Sequence, residues 1–237
     1  MALKTRPERD ILINAENPQI CAVLRRRDGS RRKLNMKTSK NVRYLTQLAL
    51  LTALVLLMAN TFLGYIRVGV LTMSLLTVPL AIGAMLCGPL AGAWLGLIFG
   101  LTSLANAISG AGGLTFFAFQ YNPALCVVMC VGARVLCGLL CGLIYRGVCK
   151  LLPGKDKTCA FIGALSAPLL NTVLFMGALV AFFYDMPAVQ EKVVELGAAN
   201  PLIYVVLSVG VQGALEAVIC CVVGTAVTVP LKRLLKQ

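Results

Sequence analysis

The sequence has no histidine, one tryptophan and few charged residues, since Lys, Arg, Asp and Glu together supply 13% of its 237 positions. The lack of histidine removes the usual zinc and haem ligand patterns and the most frequent general base of enzymes. No H-E-x-x-H or G-x-S-x-G motif occurs, and the P-loop pattern is missing because Asp156 follows Gly154-Lys155. These absences predict a protein with no metal, no cofactor and no enzymatic activity, so that any ATP is hydrolysed by a partner.

Apolar residues dominate instead, at 59% of the chain, and the mean hydropathy is +0.86. A soluble domain of this length has no core large enough to use so many apolar side chains. Most of the 10 cysteines lie inside apolar runs rather than in loops, which favours buried thiols over a disulfide framework. The composition therefore predicts an integral protein of the lipid bilayer.

Stretches long enough to cross a bilayer recur along the chain. A hydrocarbon core of about 30 Å requires about 20 apolar residues in a helix. The second and third stretches are separated only by Cys87, Gly88 and Pro89, which predicts a very tight turn, and Pro79 is a candidate break within the second. The expected fold class is an all-α membrane protein with six transmembrane helices, at residues 44–63, 68–86, 89–108, 121–148, 159–183 and 201–229.

The positive charges are segregated, because 11 of the 22 Lys and Arg residues precede Asn41. Short loops rich in Lys and Arg stay in the cytoplasm. With six crossings, the N-terminal tail, the connection that holds Lys150 and Lys155, and the C-terminal Lys232 and Arg233 fall on one side, so both termini are predicted to be cytoplasmic. The basic residues are not interleaved with aromatic residues on a folded face, and no nucleic-acid partner is expected.

The chain divides on this basis into two parts. Residues 1–40 form a basic tail that is expected to be disordered, and residues 41–237 form the membrane domain with six helices. Met36 is a second candidate start, because a few polar residues and then an apolar span follow it directly.

Two ionisable residues lie deep inside the predicted spans, Arg134 in the fourth and Glu216 in the sixth. Charged side chains within a membrane are costly and mark functional sites by default. Both lie roughly 20 Å from the outer ends of their helices at 1.5 Å per residue. Two interpretations stay open: an ion pair that joins the helices, or contact with a polar ligand, for which the planar guanidinium of Arg134 suits a carboxylate.

Neutral polar residues gather towards the predicted outer half. Each is costly in hydrocarbon unless it is hydrogen bonded. Some are explained by bonds between helices, but their position near the glycine-rich connection at residues 110–113 predicts a pocket that this loop closes. The residues are Asn60, Asn106, Gln120, Tyr121, Asn122, Asn171 and Gln212.

Small residues form stripes at helical spacing. Gly88, Gly92, Gly96 and Gly100 recur every four residues, and internal packing is their expected role, although such ridges also bind partners. A second stripe holds Arg134 between cysteines and is expected to face inward, where small thiols allow close packing. It consists of Cys126, Cys130, Arg134, Cys137 and Cys141.

Several runs in the membrane part are similar to those of a known family. The most specific covers residues 78–100, VPLAIGAMLCGPLAGAWLGLIFG; others are Asn122-Pro123, Ala133-Arg134, Leu170-Asn171-Thr172 and residues 209–217, VGVQGALEA. In the first helix, the run from Ala49 to Ala53 is similar to an A-x-x-x-A patch. Through these runs the membrane part resembles the S components of energy-coupling factor (ECF) transporters, and most of all their pantothenate and folate branch.

The resemblance implies a compact six-helix subunit in a bacterial plasma membrane, which captures a vitamin in a pocket open to the outside. The pocket is implied to lie beneath the loops after helices one, three and five. Ala49 and Ala53 are implied to dock on a transmembrane coupling subunit, through which two ATPases make the S component topple and release the vitamin inside. This implied pocket agrees with the polar cavity expected around Arg134, Asn171, Gln212 and Glu216.

Two other functions stay open. A stand-alone carrier coupled to ions or protons requires an ionisable group that cycles, and Glu216 is the only carboxylate deep in a span. A structural or assembly protein requires only glycine ridges that bind partners and polar residues that bond to one another. The absence of any tight small-molecule ligand would favour this last reading.

Overall fold

The computed structural model describes residues 41–61, 64–68 and 71–236, and the chain divides into two units, residues 1–46 and 47–237. The predicted basic tail at residues 1–40 and the candidate start at Met36 lie outside the described residues. Of the first unit, the structure describes the beginning of one helix, where the Thr46 hydroxyl donates to the Val42 carbonyl at 2.9 Å.

Helices account for most of the described chain. In order, the elements are α1 (Asn41–Ala59), β1 (Tyr65–Val68), β2 (Leu71–Ser74), α2 (Thr77–Leu86), α3 (Pro89–Ile108), α4 (Leu114–Tyr121), α5 (Pro123–Leu151), α6 (Asp156–Phe183), α7 (Pro187–Glu195) and α8 (Pro201–Lys236). One turn of α5, Val128–Gly132, has the wider π-helical winding.

Five of these helices are long and apolar enough to cross a membrane. They are α1, α3, α5, α6 and the Gln212–Leu234 part of α8. Each coincides with one of the spans expected from the sequence, so the prediction of a multi-helix membrane protein is confirmed. The helix α8 has 36 residues and therefore extends well beyond the length that a bilayer core requires.

The prediction of one long helix over residues 68–86 is wrong. The first part is an antiparallel hairpin, in which β1 pairs Tyr65 with Ser74 of β2, and α2 begins only at Thr77. The 10 residues of α2 extend about 15 Å, half the thickness of a bilayer core. Pro79 does not break this helix, because it lies in the first turn, where its missing N–H removes no intrahelical bond.

Helix α2 lies at the centre of the second unit, packed against α3, α5, α6 and α8. Every residue of α2 from Thr77 to Met85 is buried. Leu80, Leu95 and Phe99 belong to the large apolar cluster around it. Because α2 is buried on all sides, every face of it is apolar. A helix surrounded by lipid has the same pattern.

Glycines build the interface between α3 and α5. A methyl group added to Gly92, Gly96 or Gly100 would collide with backbone atoms of α5 between Cys130 and Gly138. Small residues allow membrane helices to approach this closely. Internal packing is therefore confirmed as the role of these three. Gly88 lies instead in the tight turn before α3, where its φ of 101° is a conformation that glycine adopts readily.

The stripe of thiols on α5 faces inward, as predicted, because its four cysteines and Arg134 are all buried. The Cys137 thiol donates to the Ala167 carbonyl at 3.3 Å, and the Cys141 thiol donates to the Gly163 carbonyl at 3.4 Å. Both acceptors belong to α6. The small thiols thus fill the α5–α6 interface and satisfy their own weak donors there.

Two short helices occupy connections in which the sequence analysis identified no structure. The helix α4 follows the glycine-rich connection, and α7 begins at Pro187, a residue that is well suited to a first helical position. Val189 and Val193 of α7 are buried in a second apolar cluster with Phe183. Tertiary contact of this kind stabilises helices that are too short to persist alone.

Candidate functional site

A buried carboxylate and a buried guanidinium lie in the middle of the second unit. Arg134 of α5 is 6% exposed and Glu216 of α8 is 5% exposed. The positive charge of Arg134 acts on the Glu216 carboxylate. The two residues are therefore near enough to interact, although they are 82 residues apart in the chain.

Glu216 bonds to the start of the central helix. Its Oε1 atom accepts a hydrogen bond of 2.8 Å from the hydroxyl of Thr77, the first residue of α2. The Cys220 thiol, one turn further along α8, lies 4.0 Å from the Thr77 carbonyl oxygen. A negative charge at a helix N-terminus is stabilised by the helix dipole. The dipole of α2 and the charge of Arg134 therefore both act on the Glu216 carboxylate, against the cost of burying it.

Arg134 is held by the helix that carries it and by two aromatic rings. Its Nη1 atom donates to the Cys130 carbonyl at 3.2 Å, inside the π-helical turn. Its Cζ atom lies 4.8 Å from the ring centroid of Phe99 and 4.4 Å from that of Phe175. Rings at these distances attract a cation through their negative faces. The guanidinium is thus kept in one place by α3, α5 and α6 together.

A cavity of about 760 Å³ lies between α4, α7 and the first half of α8. Small-molecule sites have volumes of about 300–1,000 Å³ and walls that are mainly apolar with a few polar groups. This cavity has such a wall. It is lined by Gly113, Leu114, Phe117, Pro187, Ala188, Glu191, Lys192, Glu195, Leu196, Tyr204, Leu207, Ser208 and Gln212.

The charged groups of the cavity wall all come from α7. Lys192 forms an ion pair with Glu195, and the bond to this carboxylate raises the pKa of the Lys192 ammonium above its usual value. Glu191 is exposed on the same helix. The pair is solvent-exposed and contributes little to stability. These groups mark the polar rim of the cavity, whereas the wall opposite carries hydroxyl and amide groups.

The helix α8 connects the cavity to the buried charges. Tyr204, Ser208 and Gln212 line the cavity at intervals of four residues, and Glu216 follows after the same interval. Four residues advance a helix by about 6 Å. The carboxylate of Glu216, and with it the neighbourhood of Arg134, therefore lies about one helical turn beyond the last residue of the cavity wall.

The neutral polar residues expected in one pocket are dispersed. Gln212 lines the cavity, and Gly113 of the glycine-rich connection lies beside it, as predicted for a pocket near this loop. The amide of Asn60 donates to the Leu56 carbonyl of its own helix at 2.8 Å. The side-chain oxygen of Asn122 accepts from the Leu125 N–H at 3.2 Å and caps the start of α5.

The remaining candidates differ in exposure. Gln120 and Tyr121 are exposed on α4, and Asn106 is half-buried near the end of α3. The side-chain oxygen of Asn171 is buried and accepts no hydrogen bond from the residues that the structure describes. Asn171 lies one turn before Phe175 on α6, the residue whose ring contacts Arg134.

Several residues of the site were not found from the sequence. Thr77, Phe99 and Phe175 look like ordinary core residues, and no local pattern marks them, because they act only through partners from distant helices. The signal that was available is the four-residue spacing from Tyr204 through Ser208 to Gln212 and Glu216, which places one polar group on each successive turn of α8.

One family profile matches most of the membrane part of the chain. The family is described as ECF transporter, substrate-specific component, and the match covers residues 43–227. No curated protein matches the chain. The matched region includes every residue of the buried charge cluster and of the cavity. The chain therefore belongs to the family of ECF transporter substrate-specific components, which are multi-pass transport proteins of the cell membrane and not enzymes.

Proposed function

We propose that this chain captures a vitamin or a related micronutrient of the pantothenate or folate type outside the cell and delivers it inward with an ATPase-driven module. The observation that carries the proposal is the buried guanidinium of Arg134, whose charge acts on Glu216 one turn beyond the wall of an apolar cavity, in a chain of the substrate-binding family. The partners required are a transmembrane coupling subunit and two ATPase subunits, since no nucleotide-binding motif occurs in the chain itself.

The cavity supports a ligand with an apolar body and a carboxylate. Its wall offers Phe117 and Leu207 for apolar contact and Ser208 and Gln212 for hydrogen bonds. A guanidinium binds a carboxylate through two parallel N–H donors, and such a bond is strong when it is shielded from water. Arg134 is therefore assigned to the acidic group of the ligand.

Ligand contact is also proposed for the polar residues around this cavity. Asn171 offers a buried acceptor to a hydroxyl or amide of the ligand. Asn60, Asn106, Gln120 and Asn122 belong to the ends of helices that approach the outer loops, and we assign them to the entry to the site. Gln212 and Glu216 complete the set on α8.

The proposed topology has six crossings and both termini in the cytoplasm. Five long helices alone would place the basic N-terminal tail and the basic C-terminus on opposite sides. The hairpin with α2 supplies the second crossing. The 2.8 Å bond between Lys232 of α8 and Asp156 of α6 supports this arrangement, because it places the C-terminal segment beside the basic connection before α6. Residues 41–237 then form the membrane domain, and residues 1–40 form a cytoplasmic tail.

Ala49 and Ala53 are proposed to dock on the coupling subunit. Both are exposed and lie one turn apart on α1, so they present a small, smooth surface to a partner helix.

Native mass spectrometry tests the binding function. The protein, purified gently from cells grown in rich medium, is expected to carry one bound vitamin, because a ligand buried in a cavity of this size dissociates slowly. The added mass identifies the compound. A folded protein that is consistently empty, and that binds neither pantothenate nor folate when these are added, would contradict the proposal and favour a structural role.

Replacement of Glu216 separates the proposed function from that of a stand-alone carrier. Glu216→Gln keeps an oxygen that accepts from Thr77 but removes the ionisable group. With the coupling subunit and ATPases co-reconstituted in liposomes, we expect the maximal rate of ATP-dependent uptake at saturating ligand to stay within about threefold of the wild type, because ATP hydrolysis and not a cycling proton drives transport. The lost carboxylate contact is expected to affect the affinity for the ligand and not this maximal rate. If the Glu216→Gln protein still binds its ligand but shows no uptake, with or without ATP, the result would instead indicate a carrier.

A further inference from the structure

Arg134 contacts two aromatic rings, neither of which is assigned to ligand binding. The guanidinium lies between the ring of Phe99 on α3 and the ring of Phe175 on α6, with Cζ at 4.8 Å and 4.4 Å from the two centroids. Phe99 is 1% exposed. A long arginine side chain has several rotatable bonds and loses much conformational freedom when a ligand immobilises it. Two rings that hold it beforehand reduce this loss.

The backbone of α5 provides the third contact. Nη1 donates to the Cys130 carbonyl at 3.2 Å, and Cys130 lies within the π-helical turn Val128–Gly132. A π-helical turn shifts the hydrogen-bond pattern of a helix and often occurs at functional sites. Gly100 brings α3 against this turn, since a methyl group added there would lie 3.0 Å from the same Cys130 oxygen. The close approach of α3 thus places Phe99 beside the guanidinium.

We propose that Phe99, Phe175 and the Cys130 carbonyl form an aromatic clamp that positions the guanidinium of Arg134 for the acidic group of the substrate. The positioning role rests on the proposed function, because it presupposes a substrate, whereas the contacts of the clamp do not depend on that function. Phe99 and Phe175 are positioning residues. The two rings and the carbonyl restrain the guanidinium before a ligand binds, and a bidentate bond to a carboxylate depends on such positioning.

The affinity test compares variants of Phe175, which is half-buried and less essential to the core than Phe99. The probes are radiolabelled pantothenate and radiolabelled folate, applied to the purified full-length protein. For whichever probe the wild type binds, Phe175→Leu is expected to weaken the affinity by about five- to tenfold. Phe175→Tyr keeps an aromatic face and is expected to weaken it by less than about twofold. The matched control is Phe161→Leu on the same helix, where the side chain is 49% exposed, and no change is expected.

A double variant distinguishes positioning from general packing. In an Arg134→Gln protein the clamp has no cation to hold, so adding Phe175→Leu is expected to change affinity by less than about twofold. An equal loss of affinity from Phe175→Leu in both backgrounds would overturn the proposal, as would a failure of Phe175→Tyr to restore binding.

A fluorescence measurement tests the contact without any ligand. Trp94 is the single tryptophan, so a Trp94→Phe protein that carries Phe175→Trp has one indole, placed against Arg134. Introducing Arg134→Gln is expected to shift its emission maximum, whereas the emission of Phe161→Trp in the same background is expected to stay constant. No shift at Phe175→Trp would overturn the clamp. If the emission of Phe175→Trp shifts but the wild-type protein binds neither pantothenate nor folate, the contact between residue 175 and Arg134 is upheld. The proposed function is then overturned, and the positioning role is overturned with it.

Discussion

Arg134→Ala is expected to weaken vitamin binding by more than about tenfold while the protein stays folded. A charge-assisted hydrogen bond contributes about 1.5–3 kcal/mol, and each 1.4 kcal/mol corresponds to about tenfold in affinity. The alanine side chain also removes the cation that the rings of Phe99 and Phe175 hold. Binding of the vitamin identified by mass spectrometry is measured by calorimetry on the purified protein.

Two further variants make this result specific to the guanidinium. Arg146→Ala on the same helix removes an exposed arginine and is expected to leave affinity unchanged. Arg134→Lys keeps the charge but loses the planar fork, so an affinity between those of the wild type and the alanine variant is expected. If Arg134→Ala folds normally and binds the vitamin as well as the wild type does, Arg134 has no role in the site.

Gly96→Ala is expected to destabilise the fold strongly for so small a substitution. The added methyl group would collide with the carbonyl group of Arg134 and with Cα of Val135, and these backbone atoms of α5 have no space to move aside as a side chain would. Overpacking of a core costs about 1–3 kcal/mol. For a protein of this size, that predicts a Tm lower by about 2–12 °C. Thermal unfolding in detergent, followed by loss of monodisperse protein, measures the change.

The matched control for this substitution is Gly177→Ala. Gly177 lies inside α6, and a methyl group added there meets no atom within 4 Å. Alanine has a higher helix propensity than glycine, so an equal or slightly higher Tm is expected. Equal stability of the Gly96 and Gly177 variants would show that the close approach of α3 and α5 is not needed for folding.

Arg134→Ala and Gly96→Ala act on the same small volume of the protein. Gly96 lies against the backbone of Arg134, and Gly100 lies against the Cys130 carbonyl to which Arg134 donates. The packing ridge and the candidate site are therefore not separate features. A change that forces α3 and α5 apart also moves the guanidinium, so mild Gly100 variants are expected to lose affinity before they lose stability.

The sequence alone determined which long apolar helices the chain forms, with one exception. The helices α1, α3, α5, α6 and α8 follow from the length of an apolar run, which is a local property of the sequence. The positions of Arg134 and Glu216 along α5 and α8 follow in the same way from the rise of a helix. The inward face of the cysteine stripe follows from helical periodicity in the same way.

The exception, residues 68–86, shows where local reasoning fails. An apolar run has the same composition whether lipid or protein surrounds it, so the sequence did not distinguish one continuous helix over these residues from a hairpin followed by the short buried helix α2. Its central place among four longer helices depends on their packing. The hairpin before it depends on pairing between residues of two short strands, which hydropathy does not report.

Only the tertiary structure decided what the buried charges contact. Thr77 and Glu216 are 139 residues apart in the chain, and the rings of Phe99 and Phe175 reach Arg134 from helices on either side of α5 in sequence. A hydrogen bond or a ring contact depends on distances within a few ångströms, and these arise when helices pack. The sequence therefore determined that the chain places a charge pair inside a membrane protein, whereas the packing of α2, α3, α6 and α8 around α5 decided how that pair is held.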